Sequence, residues 1–305
     1  MTSINCAVFN EALAKELGKN ESESDLGFFH RKHSEKQLCF ILPKGFPEKA
    51  NSLLQTLHLS HTVLLYVNSI DAFFGEIVVA INLFEKKSGF VVFSDSADQE
   101  LFKQVIKGTV VEAFEVIKKE EILDKIGAIE LTPKKGNPVI DLDGMFNVRG
   151  VGTVAIGFVA QGIVKKFDKL KLFPSKTEVL IKSVQKHDKD VTEAFYGDRV
   201  GFAVKGFDAD NFSRGMLLST EDEFSAGKEL EIGFEKSSFF KKELEEEMQL
   251  HVQCRLQLVG CRVKSLNPLK IEASKEITVR KDEPITLIDI NSKPRVIGKG
   301  KIINY

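Results

Sequence analysis

The first residues that could do chemistry lie where an apolar stretch meets a helix-forming one. Residues 4–9 can form a strand, and helix-forming residues begin at Asn10. A turn from a strand into a helix often holds a phosphate, which glycines and a lysine at the turn bind. Residues 10–14 contain no glycine. The turn therefore has the position of a phosphate site without the residues that bind one.

A cluster of glycines lies in the middle of the chain, at Gly150, Gly152, Gly157 and Gly162. A nucleotide-binding loop of this kind must stand between a strand and a helix. The residues after Gly152 are Thr-Val-Ala-Ile-Gly-Phe-Val, which favour a strand because they are β-branched and apolar. We therefore assign these glycines to the bulges and tight bends of a small β-barrel.

A local excess of lysine follows these glycines. Between Lys165 and Lys189 the chain has eight lysines and only three acidic residues, Asp168, Glu178 and Asp188. Scattered lysines can follow an RNA backbone without reading its sequence, but an ordinary barrel surface also carries them, and both interpretations stay open. The lysines that we assign to RNA contact are Lys165, Lys166, Lys169, Lys171, Lys182 and Lys186.

No residue pattern predicts a metal centre or a covalent catalyst. The pairs His30 and His33, and His58 and His61, have no third ligand nearby in the sequence. The four cysteines form no C-x-x-C pair and lie in apolar stretches, which predicts buried, reduced thiols. No serine, histidine and aspartate arrangement has a hydrolase signature.

Strand-like and helix-like segments alternate over the first part of the chain. The predicted strands are INCAVF, KQLCFIL, HTVLLYVN, GFVVFSD and GAIEL. Helices are predicted in FPEKANSLLQTL, in FGEIVVAINLFEKK and between residues 97 and 126. The segment GKNESESDLGFFHRKHSEK is predicted to be a short polar linker. This order predicts an α/β layer with parallel strands.

The pattern changes after Pro138, where short alternating stretches are separated by turn residues. Examples are VGTVAIGFV, KLKLF, TEVLIKSVQ and DRVGFAVKG. A second break near STEDEFSAGKE precedes further strands, such as LKIEASKEITV. We therefore predict an α/β domain at residues 1–136 and two β-barrels at residues 137–221 and 222–305.

Composition is that of a globular protein. The chain has 305 residues, of which 43% are hydrophobic and 29% charged, and a formal net charge of -1. That balance gives no global basic field, so any nucleic-acid surface must be local. No stretch has the roughly 18 continuous apolar residues of a membrane span, and the N-terminus lacks a signal-peptide pattern. We predict a cytoplasmic protein with no membrane and no DNA partner.

Several motifs follow one another in order between residues 146 and 219. They are a G-x-G-T-V turn, a turn around Asp168, a lysine-bearing strand before SVQKH, then GDRVG and a final SRG. This series resembles the second domain of elongation-factor-Tu-type translational GTPases, and most of all the selenocysteine-specific SelB type. Residues 248–263 and 294–302 resemble that family's final barrel more weakly. The resemblance implies a degenerate P-loop GTPase-like α/β domain followed by two β-barrels of the translation-factor type.

The resemblance also implies where the GTPase motifs of the first domain should lie. The phosphate loop G-x-x-x-x-G-K-[ST] falls on Asn10, Lys15, Glu16 and Leu17, none of which matches. The D-x-x-G motif falls on residues 42–45 and keeps only its glycine, while the catalytic histidine position is Phe46. Of the N-K-x-D motif, only Asp98 can match. A carboxylate at Glu16 would repel a triphosphate, so the resemblance implies a pseudo-GTPase without a cofactor.

A pocket in the middle barrel of the SelB type holds the aminoacyl end of tRNA with an acid and an arginine. The resemblance places these residues at Asp143 and Arg199, which could equally form a plain structural salt bridge. The arginine that the family has next to the acid is Gly144 here. The resemblance therefore does not extend to recognition of selenocysteine itself.

These observations together predict a translation elongation factor-like protein, similar to the SelB-like proteins of archaea, that has lost its GTPase chemistry and is not an enzyme. Its barrels are predicted to bind tRNA, another RNA or a ribosomal surface, and translation proteins are further candidate partners. The alternative is a protein-protein interaction or regulatory module on a pseudo-GTPase scaffold. It would dock through GFF at residues 27–29 or DAFFGE at residues 71–76.

Overall fold

The structure is a computed structural model that describes residues 2–20, 24–220 and 223–305. Helices and strands alternate in its first part. The helices are α1 (Glu11–Leu17), α2 (Ala50–Leu59), α3 (Ala72–Leu83), α4 (Gln99–Ile106) and α5 (Ile122–Gly127). The strands are β1 (Thr2–Val8), β2 (Lys19–Asn20), β3 (Gly27–His33), β4 (Lys36–Leu42), β5 (Thr62–Val67), β6 (Gly89–Phe93) and β7 (Glu115–Val116).

These strands form one sheet in the order β2-β3-β4-β1-β5-β6-β7. Strands β1, β4, β5, β6 and β7 run parallel, whereas β3 pairs antiparallel with β4 and β2 pairs antiparallel with β3. A parallel sheet needs cover on both faces. Helix α1 covers one face with Leu13, Ala14 and Leu17, beside Ile122 and Ile126 of α5. The predicted α/β layer with parallel strands is confirmed.

Three predictions for this layer are wrong: the polar linker, the GFF docking surface and the GAIEL strand. The predicted polar linker contains strand β3, and pairing with β4 buries Phe28 and Phe29, so GFF is not an exposed docking surface. Residues 21–23 of that linker lie outside the described residues. GAIEL forms no strand, because α5 ends at Gly127 and the last strand is instead β7, which pairs with β6.

The first barrel follows Pro138. Its strands are β8 (Val139–Val148), β9 (Gly152–Gln161), β10 (Ile163–Lys165), β11 (Lys169–Phe173), β12 (Thr177–Lys186), β13 (Lys189–Val191), β14 (Glu193–Phe195), β15 (Arg199–Lys205) and β16 (Leu217–Ser219). The barrel closes in the order β11-β16-β8-β9-β15-β12, with β12 paired back to β11. Strands β10 and β14 form a separate two-stranded ribbon.

Glycines serve this barrel as the sequence predicts. Gly150 and Gly152 have φ angles of +82° and +97° in the turn between β8 and β9. A β-carbon at Gly157 would come within 2.4 Å of the carbonyl oxygen of Asp141, so only glycine lets β8 and β9 approach this closely.

The last barrel consists of β17 (Ser225–Lys236), β18 (Gln249–Cys254), β19 (Gln257–Leu266), β20 (Leu269–Val279), β21 (Pro284–Ile288) and β22 (Val296–Asn304). It closes in the order β17-β20-β19-β18-β21-β22. The prediction of an α/β domain followed by two β-barrels is therefore confirmed. The four cysteines are free and buried, as predicted.

Two compact units can be distinguished in the chain. The first comprises Met1–Leu131, Glu235–Lys242 and Thr286–Lys299, and the second comprises Thr132–Phe234, Glu243–Ile285 and Gly300–Tyr305. The last barrel thus contributes residues to both units. The predicted boundary between residues 221 and 222 lies outside the described residues, and the three predicted domain ranges stay a prediction. The described part of the chain contains no helix long and apolar enough to cross a membrane.

Candidate functional site

The connection between β1 and α1 consists of Phe9 and Asn10. Asn10 has extended backbone angles, and its side-chain oxygen accepts a hydrogen bond of 2.9 Å from the backbone N–H of Leu13. This is the usual N-cap arrangement, in which a side chain satisfies a helix N–H that has no partner inside the helix. Helix α1 therefore follows strand β1 after two residues, and the side chain of Asn10 caps its first turn.

Each of the other positions assigned to a phosphate loop lies inside helix α1. The ammonium of Lys15 is 2.8 Å from Glu11, one turn earlier on the same helix. The carboxylate of Glu16 is 2.7 Å from the ammonium of Lys119, and this hydrogen bond raises the pKa of Lys119. Leu17 is buried in the core. These side chains are engaged in helix and core contacts, and whether they descend from a phosphate loop stays a prediction.

The segment after β4 is held by backbone hydrogen bonds. The backbone N–H of Gly45 donates to the carbonyl of Asp25 at 3.0 Å, and the N–H of Phe46 donates to the carbonyl of Pro43 at 3.0 Å. Leu42, at the end of β4, is buried. The ring of Phe46 meets the ring of Phe73 edge to face, with 6.1 Å between centroids.

An arginine of the first unit, which the sequence did not reveal, binds this segment to helix α3. The guanidinium of Arg295 makes two bonds to Glu76 of α3, at 2.8 and 3.0 Å, and donates to the carbonyl oxygen of Pro47 at 2.7 Å. It also lies 5.5 Å from the ring centroid of Phe46. No local signal could reveal this role, because Arg295 and Glu76 are 219 residues apart in the chain.

The loop after β6 and the first turn of α3 also use polar side chains as caps. Asp98 accepts a bond of 2.9 Å from the N–H of Leu101 and caps α4. Asp71 caps α3 in the same way. Because Phe74 and Glu76 are buried, the predicted DAFFGE docking surface is reduced to its exposed first three residues.

The structure brings Asp143 and Arg199 together on the first barrel. A bulge in the pairing of β8 with β9 lies at Asp143, between Leu142 and Gly144. The guanidinium of Arg199 donates to Oδ2 of Asp143 at 3.2 Å, and both side chains are largely buried. Arg214, which sequence reasoning did not assign, donates from Nε to the backbone carbonyl of Asp143 at 3.3 Å. Bulges often redirect a side chain next to a functional site.

The carboxylate of Asp143 has one oxygen to spare. Its Oδ1 is buried and has no hydrogen-bond partner in the structure. Burial raises the pKa of Asp143, although the neighbouring charges of Arg199 and Arg214 act in the opposite direction. Buried polar atoms without a partner are rare in native proteins and call for an explanation. A ligand group that donates a hydrogen bond, such as an amine or a hydroxyl, would satisfy this oxygen.

The lysines assigned to RNA contact are spread over several strands of the same barrel. Lys165 and Lys169 are exposed, at 4.0 Å from Glu193 and 3.6 Å from Glu178. Lys171 lies on the same outward face of β11 as Lys169. Because ion pairs between exposed groups are weak, these lysines can exchange a carboxylate for a phosphate.

Three further lysines make different contacts. The ammonium of Lys166 lies 4.9 Å from the ring centroid of Phe167, and that of Lys182 lies 3.5 Å from the carbonyl oxygen of Val151. Lys186 donates to the buried carboxylate of Asp198 at 2.6 Å. Its ammonium is therefore bound within the barrel, and Lys186 is the weakest RNA-contact candidate of the set.

Two of the paired histidines, His33 and His61, bond to different partners. His33 bonds to Asp124 at 2.9 Å, and His61 accepts a bond of 3.0 Å from the backbone N–H of Asn5. Among the described residues, no group of three histidine, cysteine or acidic side chains could hold a metal ion.

Comparison with known proteins agrees with this architecture. The family described as elongation factor Tu domain 2 matches residues 152–219, which lie in the first barrel. The selenocysteine-specific elongation factor of Methanocaldococcus jannaschii is 35% identical over 150 residues, which cover 49% of this chain but only 30% of that factor.

A solved structure extends the similarity to the whole fold. Translation elongation factor SelB from Methanococcus maripaludis, in complex with the GTP analogue GppNHp, matches with a TM-score of 0.86. The match covers 100% of this chain and 80% of that chain at 20% sequence identity. At this identity the similarity shows the fold alone, an α/β domain and two barrels of the SelB type.

One relative matches along nearly its whole length. The uncharacterized protein MJ0325 of Methanocaldococcus jannaschii is 32% identical over 297 residues, which cover 96% of each chain. The first barrel matches elongation factor Tu domain 2, and the fold is that of SelB, so the chain is related to these translation factors. The chain belongs to the family of MJ0325.

Proposed function

We propose that this chain is a translation elongation factor-like protein that neither binds nor hydrolyses GTP and that binds RNA through its barrels. The observation that carries the first half is the two-residue connection between β1 and α1. A phosphate loop surrounds the phosphates with consecutive backbone N–H groups, and it needs a longer, glycine-rich connection to do so. Here Asn10 caps the helix, and the other residues that would form that loop are helical.

The charges around this turn support the same half of the proposal. Glu16 places a carboxylate where the family has the lysine that reaches the phosphates, and Leu17 stands in place of the magnesium-binding hydroxyl. Leu42 and Phe46 bring no carboxylate and no imidazole to the γ-phosphate side. We therefore propose a pseudo-GTPase that is not an enzyme. Without nucleotide hydrolysis, release of its cargo is set by equilibrium binding or by a partner.

The barrel site supports the second half. Asp143, Arg199 and the half-buried Arg214 form an acid-arginine cluster in which one carboxylate oxygen has no hydrogen-bond partner. An aminoacyl end carries an amine that can donate to this oxygen, and the exposed lysines can contact the RNA backbone. The proposed partners are tRNA or another RNA, with the ribosome and translation proteins as further candidates in the cytoplasm.

The nucleotide half is tested by calorimetric titration of the purified chain with GTP and with GDP in the presence of Mg²⁺. We expect no binding heat up to millimolar nucleotide. The SelB factor of Methanococcus maripaludis, whose structure contains GppNHp, serves as the positive control. A micromolar affinity for either nucleotide would contradict the proposal.

The RNA half is tested by gel shift with aminoacylated and deacylated tRNA at two salt concentrations. The variants Asp143→Asn and Arg199→Lys should weaken binding of aminoacylated tRNA, because a charged hydrogen bond contributes roughly 1.5–3 kcal/mol, or about 10- to 100-fold in affinity. Arg262→Lys is the matched control, since Arg262 is exposed and pairs with Glu247 on the last barrel. Equal affinities for all three variants would remove this cluster from the site. A nuclease-resistant protein partner without tRNA binding would favour the interaction module instead.

A further inference from the structure

An aromatic side chain stands in solvent on the first barrel in an unusual backbone conformation. Phe167 is 67% exposed, and its φ angle is +74°. A bulky residue with a positive φ is a backbone outlier, because its β-carbon crowds the neighbouring carbonyl. Strained residues of this kind persist where the surroundings fix them, and they cluster at functional sites.

The surroundings do fix the turn that carries Phe167. Its backbone N–H donates to the carbonyl of Ile181 at 2.7 Å. On either side of it, the N–H of Lys166 donates to the carbonyl of Thr192 at 3.0 Å, and the carboxylate of Asp168 accepts from the N–H of Lys165 at 2.7 Å. These bonds tie the turn to strand β12 and to the segment before β14. The ring is therefore held outward by the backbone.

Lysines flank this ring in the sequence, and one of them contacts it. The ammonium of Lys166 lies 4.9 Å from the ring centroid, within the range of a cation–π contact. Lys165 and Lys169, on the two sides of the turn, are 61% and 67% exposed. The carboxylate of Asp168 is bound inside the turn, so it is engaged rather than presented as an opposing charge.

We propose that Phe167 is a stacking platform for an unpaired nucleobase of RNA, with Lys165, Lys166 and Lys169 in contact with the adjacent phosphates. An exposed aromatic ring beside an ammonium group fits a base and its backbone, since every base has a π-face and every linkage a negative charge. Lysine is depleted from protein-protein interfaces, so the lysines on this turn favour RNA over a protein partner. The platform lies on the same barrel as the acid-arginine cluster, and it rests on the proposed function, RNA binding by that barrel.

The test is fluorescence anisotropy with a labelled single-stranded RNA of mixed sequence and a fully paired RNA duplex, with the full chain. Phe167→Leu should weaken single-strand binding roughly 5- to 100-fold, the range for one stacked base, and leave duplex binding unchanged. Phe73→Leu is the matched control, because Phe73 is a second exposed phenylalanine, in the α/β unit. Lys166→Gln should reduce the slope of log affinity against log salt by about 0.7, the value for one phosphate of a single strand.

Separate outcomes decide between this inference and the proposed function. If the parent binds single strands and Phe167→Leu binds them equally well, the platform is wrong and RNA binding by the barrel stands. If the parent binds neither tRNA nor either labelled RNA, RNA binding fails and the platform fails with it. Suppose that Phe167→Leu binds RNA like the parent but no longer captures a protein that the parent captures from nuclease-treated extract. The ring is then a protein contact, and the proposal is overturned.

Discussion

Arg255 is the residue whose removal should most disturb the second unit. Its guanidinium makes bonds of 2.7 and 2.9 Å to Asp141 of β8 and one of 2.8 Å to Glu283. All three side chains are buried. Burial by itself lowers the pKa of Arg255, but the charges and hydrogen bonds of the two carboxylates outweigh it and raise the pKa above its ordinary value. The arginine is therefore charged and neutralises Asp141, while Glu283 also accepts a bond of 2.6 Å from Arg280.

Replacement of Arg255 by Met would remove that cation from two buried carboxylates, of which Glu283 would keep its pair with Arg280. Breaking a buried pair by removing one partner costs about 3–5 kcal/mol, because the remaining charge stays desolvated. The effect should depend on pH. Without the arginine, ionisation of a buried carboxylate costs stability, so the variant should lose stability relative to the parent as pH rises through the ordinary carboxyl range, from about 4 to 7. The deficit should thus be small in acid and largest near neutrality.

Urea unfolding followed by far-UV circular dichroism measures this deficit, since the chain has no tryptophan for fluorescence. The matched control is Arg262→Met, which removes an exposed pair with Glu247 and should change the free energy of unfolding by less than about 1 kcal/mol. If Arg255→Met unfolds within about 1 kcal/mol of the parent at pH 7, or if its deficit shrinks as pH rises, the reasoning about the buried network is wrong.

Three further perturbations test other parts of the structure. Arg295→Met removes the bonds that hold the segment between β4 and α2, so amide hydrogen exchange there should become faster than in the parent, and unchanged exchange would contradict the clamp. Gly89→Ala places a β-carbon 2.3 Å from the ring of Phe114 and should destabilise the first unit by about 1–3 kcal/mol in thermal unfolding. Gly75→Ala is the control: no atom lies close to the added β-carbon, so this variant should be as stable as the parent or more stable. Asp143→Asn should gain stability relative to the parent as pH rises above the usual carboxyl range, because burial raises the pKa of Asp143 and its ionised form costs stability. Urea midpoints of both proteins at several pH values measure this gain. A difference in midpoint that does not change with pH would refute it.

Much of the fold could be predicted because its signals are local. Strands β4, β11 and β20 have the predicted bounds, since each is a continuous or alternating apolar stretch with turn residues at its ends. Strand β3 is not predicted because only its first residues are apolar, and its pairing with β4, which buries the first four residues, is not visible in the sequence. Strand β7 has two residues, too few for any periodicity, and it lay inside a segment predicted to be helical.

The candidate site divides in the same way. Asp143 and Arg199 could be proposed from a family resemblance and are bonded in the structure, but the contribution of Arg214 could not be foreseen. The predicted lysines also proved unequal. Lys186 is bound to buried Asp198, which depends on how β12 lies against the turn before β15. The sequence assigns all these lysines to RNA contact alike, whereas the structure shows that the ammonium of Lys186 is already bound.

The sequence by itself determined that residues 10–14, after the first strand, contain no glycine, and the family resemblance predicts that Glu16 and Leu17 replace a lysine and a hydroxyl residue. The sequence also determined the change from an α/β pattern to a β pattern, because spacing along the chain is sufficient for both. Only the tertiary structure decided that the turn is a two-residue cap, that both barrels close, and that Arg255 and Arg295 bind buried carboxylates. The partners in those two ion pairs are 114 and 219 residues apart, and the attraction between them depends on distance in space, which no local pattern records.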